Sequence, residues 1–112
     1  MEIKLNAKLS AYTNVNLKKL APQNLLFTAT IPTRWTGWKA PFKQIVPLEG
    51  LKAEDDAQGI VDIVLSSDWE LAVKEDEEWA NIKVITLEDN QFEVLSETAI
   101  EIPLNIKIKV VR

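Results

Sequence analysis

The sequence predicts an α+β fold, a mostly antiparallel β-sheet or sandwich with one helix at about residues 68–80. Three observations lead to this prediction. Apolar and polar residues alternate over most of the chain, which is the period of half-buried strands. One stretch alone combines helical spacing with a helix start signal. A length of 112 residues suits one domain, so we expect residues 1–22 to be an amino-terminal arm and 23–112 a single β-rich domain.

The arm has the pattern of a strand, because residues 2–10 alternate strictly between polar and apolar side chains. The apolar positions share one face and are Ile3, Leu5, Ala7 and Leu9. Residues 25–31 alternate in the same way and end at Pro32. Residues 33–41 contain Gly37 and form a loop, and a second strand is expected over 42–48. Pro47 has no amide donor, which indicates a strand end or an edge strand.

Residues 60–65 are apolar on both faces except for Asp62, and such a run predicts a central, well-covered strand. Residues 53–58 before it are expected to form an acidic loop. The helix should follow, with Ser67 and Glu70 as a capping box. Its core-facing positions share helical spacing and are Trp69, Ala72, Val73 and Ala80, with Leu71 and Trp79 at the margins. Residues 75–78 should face solvent.

The remaining residues predict a meander of strands. Residues 82–87 alternate, 88–90 form a turn, and Phe92 and Val94 belong to the next strand. The last strand alternates from residue 100 to 110, so Ile106 should be fully buried and Lys107 should point outward. We expect its outward lysines to discourage edge-to-edge association.

Two residue types are missing from the chain, histidine and cysteine. Their absence excludes serine–histidine and cysteine–histidine catalysis within one chain, and also thiolate metal sites. The commonest zinc ligand is lacking as well. We therefore expect no enzyme activity, no cofactor and no metal site. No apolar run approaches the roughly 20 residues of a membrane span, so a membrane is not an expected partner.

Charge is distributed unevenly. Residues 1–43 carry a net charge of +6, residues 44–101 a net of −13 and residues 102–112 a net of +3. A basic arm could contact nucleic acid or an acidic partner. The interpretation we favour is that the basic ends pair with the acidic middle or with a neighbouring subunit, because no nucleic-acid-binding motif is present.

Two groups of carboxylates invite a chemical interpretation. Glu54, Asp55, Asp56 and Asp62 could offer oxygens to a calcium ion, but their spacing matches no calcium loop, and a solvated loop with local turns is favoured. The four acids at 75–78 could be taken for glycosidase carboxylates. That chemistry needs two acids facing each other across a cleft, whereas neighbours on one helix face outward.

The loop at 33–41 holds the candidate binding residues Arg34, Trp35 and Trp38. Exposed tryptophans could stack on a sugar ring while the arginine bonds its hydroxyls. The favoured alternative is that these side chains cap the core or fill a subunit interface, where Trp and Arg are enriched. Trp69 and Trp79 are expected in the core.

Four phrases carry a resemblance to a known family. They are Thr28-Ala-Thr-Ile-Pro32, Trp35-Thr-Gly-Trp38, the run from Gly59 to Ser66, and the run from Ile102 to Arg112. In this order they resemble a small domain that recurs at the carboxyl ends of structural proteins from phages and prophages of Gram-positive bacteria. The resemblance covers roughly residues 26–112.

This resemblance implies a non-enzymatic virion protein of the tail, neck or fibre, made in the bacterial host cytoplasm and acting by protein–protein assembly. Its expected partners are other virion proteins and further copies of itself, as a homo-oligomer. The alternative is a carbohydrate-binding module that recognises host cell-wall polymers. Nucleic acid is not an expected partner, and the resemblance supplies no catalytic residues.

Overall fold

Two three-stranded antiparallel sheets form the scaffold of residues 24–112, which are the residues that this computed structural model describes. The strands are β1 (Asn24–Ile31), β2 (Phe42–Pro47), β3 (Ile60–Ile63), β4 (Ile82–Glu88), β5 (Gln91–Ser96) and β6 (Leu104–Val111). The first sheet has the order β1-β6-β3 and the second β2-β5-β4. A 3₁₀ helix (Ala53–Ala57) precedes β3, and α1 (Trp69–Trp79) connects β3 to β4. The predicted α+β, mostly antiparallel fold is confirmed; the predicted arm, residues 1–22, lies outside the described residues.

One apolar core lies between the sheets. The buried side chains come from both, and they are Ile31, Val46, Leu87, Phe92, Val94, Leu104, Ile106, Ile108 and Val110, with Leu51 and Ile100 from the loops. The alternation predicted for residues 25–31, 42–48 and 100–110 is confirmed, since every second side chain in these segments is buried or half-buried. Ile106 is 1% exposed, as predicted. Pro47 is the last residue of β2, and β2 is an edge strand, so Pro47 lies at both of the positions that its missing amide donor predicted.

The prediction that residues 60–65 form a central strand is wrong. β3 ends at Ile63 and lies at the edge of its sheet. Val61 and Ile63 pack against the core, whereas Ile60 is 63% exposed and Val64 and Leu65 are also exposed. The run is apolar on both sides, but only one side faces the core. The other side forms part of the exposed apolar surface of the domain.

The central strand of the first sheet is β6. It pairs with β1 along its whole length and with β3 along half of it, so its outward lysines do not guard a free edge. Lys107 lies opposite Thr28 on one side and Asp62 on the other. The strand begins at Leu104, after Pro103, which cannot donate a ladder hydrogen bond.

The predicted turn at residues 88–90 joins β4 and β5 into a hairpin. Asn90 adopts a φ of 60°, a left-handed conformation that Asn tolerates better than most residues. A bulge between Ile82 and Val84 interrupts the alternation predicted for β4. Ile82 therefore packs against the core while Val84, two residues later, is exposed.

The predicted capping box is not formed. Asp68 is the N-cap residue of α1, and no side chain caps the helix. Instead, Ser66, which precedes the helix, donates hydrogen bonds to the side chain of Glu75, beyond the first turn. The expected acidic loop at 53–58 is likewise a short 3₁₀ helix rather than an irregular segment.

Candidate interaction surface

The loop between β1 and β2 holds two of the four tryptophans and is fixed at its base. Thr36 and Lys43 exchange backbone hydrogen bonds of 2.8 and 3.3 Å, and the Thr36 hydroxyl also donates to the Lys43 carbonyl. Gly37, at φ 100°, makes the turn that follows Thr36. This turn separates Trp35 from Trp38, so that the two rings have different surroundings.

Trp35 is half-buried and packs against the core. Its indole N–H donates to the carbonyl of Ile100 at 3.0 Å, which satisfies a donor that would otherwise be lost to water. One edge of the ring lines a shallow depression of about 330 Å³ together with Thr33, Ala99 and Glu101. Trp35 is thus a core-capping side chain with a limited exposed edge.

Trp38 is 89% exposed, more than any other large apolar side chain among the described residues. The Lys39 ammonium lies 5.8 Å from its ring centroid, within the range of a weak cation–π contact. Arg34 is also exposed. The structure therefore separates the three predicted site residues, with Trp35 against the core and the other two toward solvent.

A second exposed aromatic lies at the start of α1, where the sequence predicted core. Trp69 is 78% exposed, and Leu71 and Val73 on the same helix are 40% and 39% exposed. Trp69 and Val73 are four residues apart and so share one side of the helix. Leu71, two residues from each of them, projects from a different side. Val64 and Leu65, in the loop before the helix, are exposed as well. We call Val64, Leu65, Trp69 and Val73 the α1 surface.

The side of α1 that faces the core is not the predicted one but the side that carries Glu75 and Trp79. Trp79 packs against the core and Glu75 is 3% exposed. The Glu75 carboxylate accepts hydrogen bonds from the backbone N–H and the hydroxyl of Ser66, at 2.8 and 2.7 Å. The expected solvation of residue 75 is thus wrong. Because Ser66 is held, the loop that carries Val64 and Leu65 is fixed against the helix.

The carboxylates at 54–56 and 62 are not gathered around a common point. Asp55 is 2% exposed and forms a bidentate ion pair with Arg112, with N···O distances of 2.7 and 3.0 Å. Asp56 accepts the N–H of Leu87 in β4 at 2.8 Å, and Asp62 accepts the N–H of Ile63 at 3.0 Å. Within residues 24–112 no group of three acidic side chains is placed to hold a metal ion.

The Asp55–Arg112 pair replaces the solvated loop that the sequence favoured. The hydrogen bonds from Arg112 lower the pKa of Asp55, an effect that burial partly opposes and the N–H of Lys52 reinforces. The same hydrogen bonds raise the pKa of Arg112. The guanidinium also donates to the Gly50 carbonyl at 2.7 Å and lies 5.8 Å from the Phe27 ring centroid. Here a basic residue near the end of the chain does pair with the acidic middle.

The acids at 75–78 do not share a site either. Glu75 binds Ser66, and Glu78 accepts a hydrogen bond from the Asn81 side chain at 2.8 Å. Asp76 and Glu77 are exposed on the helix.

The α1 surface is the feature that sequence reasoning missed. The chain offers two incomplete helical stripes, one interrupted by Asp76 and the other by Glu75, and apolar spacing alone favoured the stripe that contains Trp69. The signal that could have decided between them is Ser66, a donor positioned just before the helix. Nothing in the spacing shows that it would bind Glu75.

No helix within residues 24–112 has the length and apolar character needed to cross a membrane. Comparison with family models, with curated proteins and with solved structures gives no match to this chain.

Proposed function

We propose that this chain is a non-enzymatic structural component of a phage virion, associated with the tail, neck or fibre, that acts by protein–protein assembly. The observation that carries the assembly role is the α1 surface. The helix buries Glu75 and exposes Trp69 and Val73 on one side, which supports a contact outside the domain. The assignment to a virion rests on the resemblance of the four phrases to phage structural domains.

The energetics favour a partner for this surface. A tryptophan buries about 150–250 Å² on full contact, and burial yields about 25 cal/mol per Å² of apolar area. Trp69 is 78% exposed in the domain, so most of this gain is available only on association. The hydrogen bonds from Ser66 to Glu75 hold the surface in place, which lowers the entropy lost on binding.

The virion assignment is tested with purified particles of the phage or prophage that encodes the chain. Quantitative mass spectrometry of particles banded on a density gradient should detect the chain in constant ratio to the major tail protein. A particle population that carries Trp69→Ala should contain less of it, whereas Lys74→Ala, on the same helix, serves as the control. Presence of the chain in the lysate and its absence from the particles would contradict the proposal.

The alternative function is recognition of host cell-wall carbohydrate. One observation favours it: Trp38 is 89% exposed in a loop that also exposes Arg34. The variant that tests it is Trp38→Ala, because Trp35 is tied to the core and its loss would disturb the fold. Tryptophan fluorescence titrated with host cell-wall polysaccharide should show no saturable change if assembly is the function. A saturable change that Trp38→Ala abolishes and Trp69→Ala retains would establish the carbohydrate alternative.

A further inference from the structure

The α1 surface is bordered by negative charge. The helix and its N-cap residue expose four acids, which are Asp68, Glu70, Asp76 and Glu77. Lys74 is the one exposed base of the helix. Asp76 lies three residues after Val73 and seven after Trp69, so it continues the side of the helix that both occupy. The α1 surface is therefore an apolar patch with an acidic rim.

The loop between β1 and β2 is an exposed aromatic surface of the opposite charge. Trp38 is 89% exposed there. Residues 33–41 contain two exposed bases, Arg34 and Lys39, and no acid. The Lys39 ammonium lies 5.8 Å from the Trp38 ring centroid, so the loop presents apolar area and positive charge together.

The charges of the two surfaces have no ion-pair partners within residues 24–112. Three ion pairs form in that part of the chain, namely Lys43–Glu93, Lys83–Glu97 and Asp55–Arg112. None of them includes the acidic rim or the bases of the loop. Opposite charges at a contact steer association and fix its orientation, while the apolar area of the aromatic side chains supplies most of the affinity.

Both surfaces are also held in place by bonds within the domain. Thr36 and Lys43 fix the base of the loop, and the hydrogen bonds from Ser66 to Glu75 fix the α1 surface. A surface that is ordered beforehand loses less entropy on binding.

Charge also decides between two ways of pairing copies of the chain. A symmetric contact between two α1 surfaces would bring two acidic rims together, and like charges that face each other oppose association. A contact between the loop and the α1 surface brings opposite charges together.

We propose that the loop between β1 and β2 of one copy binds the α1 surface of the next copy, in a head-to-tail contact. The inference rests on the assembly role proposed above, and it names a second copy of this chain as the partner of the α1 surface. Because the two contacting surfaces differ, every copy offers one of each, and the contact repeats to build a ring or a filament.

A mixture of two variants tests the proposal, because each variant keeps the surface that the other lacks. Trp38→Ala alters the loop and Trp69→Ala alters the helix, and both side chains are exposed, so the core is left intact. Light scattering at micromolar concentration gives the mass of each variant and of their equimolar mixture. In the control mixture, the double variant Trp38→Ala, Trp69→Ala replaces Trp38→Ala. Circular dichroism establishes that each variant is folded.

We expect an oligomer for the wild type, a mass near 12.7 kDa for each variant alone, and a dimer with one copy of each variant for the mixture. The control mixture should remain monomeric. Arg34→Glu combined with Lys39→Glu should also lower the mass to that of the monomer, because it opposes two negative surfaces.

An oligomer that dissociates in Trp69→Ala but persists in Trp38→Ala would overturn the head-to-tail contact and would leave the assembly role intact. A monomeric wild type would overturn it as well, while the presence of the chain in purified particles would still support the assembly role. Dimers in the mixture, with the chain absent from particles, would support this contact and contradict the virion assignment alone.

Discussion

Asp55 joins two distant segments at the periphery of the domain. Its two carboxylate oxygens accept three hydrogen bonds, two from Arg112 and one from the N–H of Lys52. Through them the 3₁₀ helix is held to the end of β6. A bidentate arginine–carboxylate pair is stronger than an ordinary ion pair because its geometry is fixed. The burial of Asp55 limits its screening by solvent.

Asp55→Asn should destabilise the domain in a pH-dependent way. At neutral pH we expect a loss of about 1–3 kcal/mol in the free energy of unfolding, because an amide NH₂ group replaces one of the two accepting oxygens and the attraction between the charges is lost. The pKa of Asp55 is lower in the folded than in the unfolded chain, so its contribution is complete above the unfolded value of about 3.9 and disappears as the pH falls through the lower folded value.

Urea unfolding of the wild type and Asp55→Asn from pH 7 to about pH 3 measures this contribution. The difference between them should be constant near neutrality and should narrow below about pH 4. Glu54→Gln, on the exposed side of the same 3₁₀ helix, is the control and should stay within about 0.5 kcal/mol of the wild type. A difference that is constant down to the lowest pH would show that the charge of Asp55 does not matter.

At the scale of elements, β6 and α1 show what determines which side of a segment faces the core. β6 is covered by strands on both edges and by the core on one face, so its alternation is strict. The helix has no such cover. Its orientation is set by Trp79 at one end and by the hydrogen bonds between Ser66 and Glu75 in the middle.

The face of β6 is tested by two neighbouring residues. Ile106→Ala removes methyl groups from the middle of the core and should cost about 2–5 kcal/mol. Lys107→Ala, on the outward side, should stay within about 0.5 kcal/mol. Urea unfolding gives both values. Similar losses for the two variants would mean that the strand does not present the face described.

The hydrogen bonds of Glu75 predict a similar contrast within the helix. Glu75→Ala leaves the partly buried N–H of Ser66 without its acceptor and should lower the free energy of unfolding by about 1–3 kcal/mol. Glu77→Ala, two residues later and exposed, is the matched control and should have an effect within about 0.5 kcal/mol. Hydrogen exchange at Ser66 should accelerate in Glu75→Ala alone. Unchanged exchange there would mean that the carboxylate does not hold the loop.

At the scale of the whole molecule, the exposed aromatics lie outside the sandwich. Trp38 extends from the β1–β2 loop and Trp69 from the start of α1. Neither contributes to the core, and the core is complete without them. This exposed aromatic surface supports the proposed assembly, since an isolated domain would gain nothing from exposing it.

We predict that the protein is a homo-oligomer and that the α1 surface forms the contact. Light scattering at micromolar concentration should give a mass that is a multiple of 12.7 kDa. Trp69→Ala should shift the mass toward the monomer, and Lys74→Ala should leave it unchanged. A monomer mass at every concentration would contradict the prediction. The α1 surface would then be expected to bind a different virion protein.

Much of the fold could be predicted because the signals are local. β1, β2 and β6 follow from alternation, and the hairpin at Asn90 follows from a residue that tolerates a left-handed backbone. The place of residues 60–65 could not be predicted in this way. Whether an apolar strand is central or at an edge depends on the order of strands in the sheet, and the order depends on contacts between distant segments.

The candidate site was less accessible to sequence reasoning. Asp55 and Arg112 are 57 positions apart, and no spacing rule links them. The orientation of α1 depends on hydrogen bonds between a loop and the second turn of the helix. For the loop at 33–41, the sequence identified the exposed Trp38 but could not distinguish it from Trp35, because the difference lies in one hydrogen bond to Ile100.

The central position of β6 determines the order in which the chain can fold. β1 and β3 pair with β6 and not with each other, and Asn24 meets Val111 across 87 positions of sequence. During synthesis neither strand has its partner until residues 104–111 have left the ribosome, although the β4–β5 hairpin can form earlier from local contacts. Such distant pairing makes folding slow. Until β6 arrives, β1 and β3 are unpaired apolar strands, which is the period when the nascent chain is most exposed to aggregation.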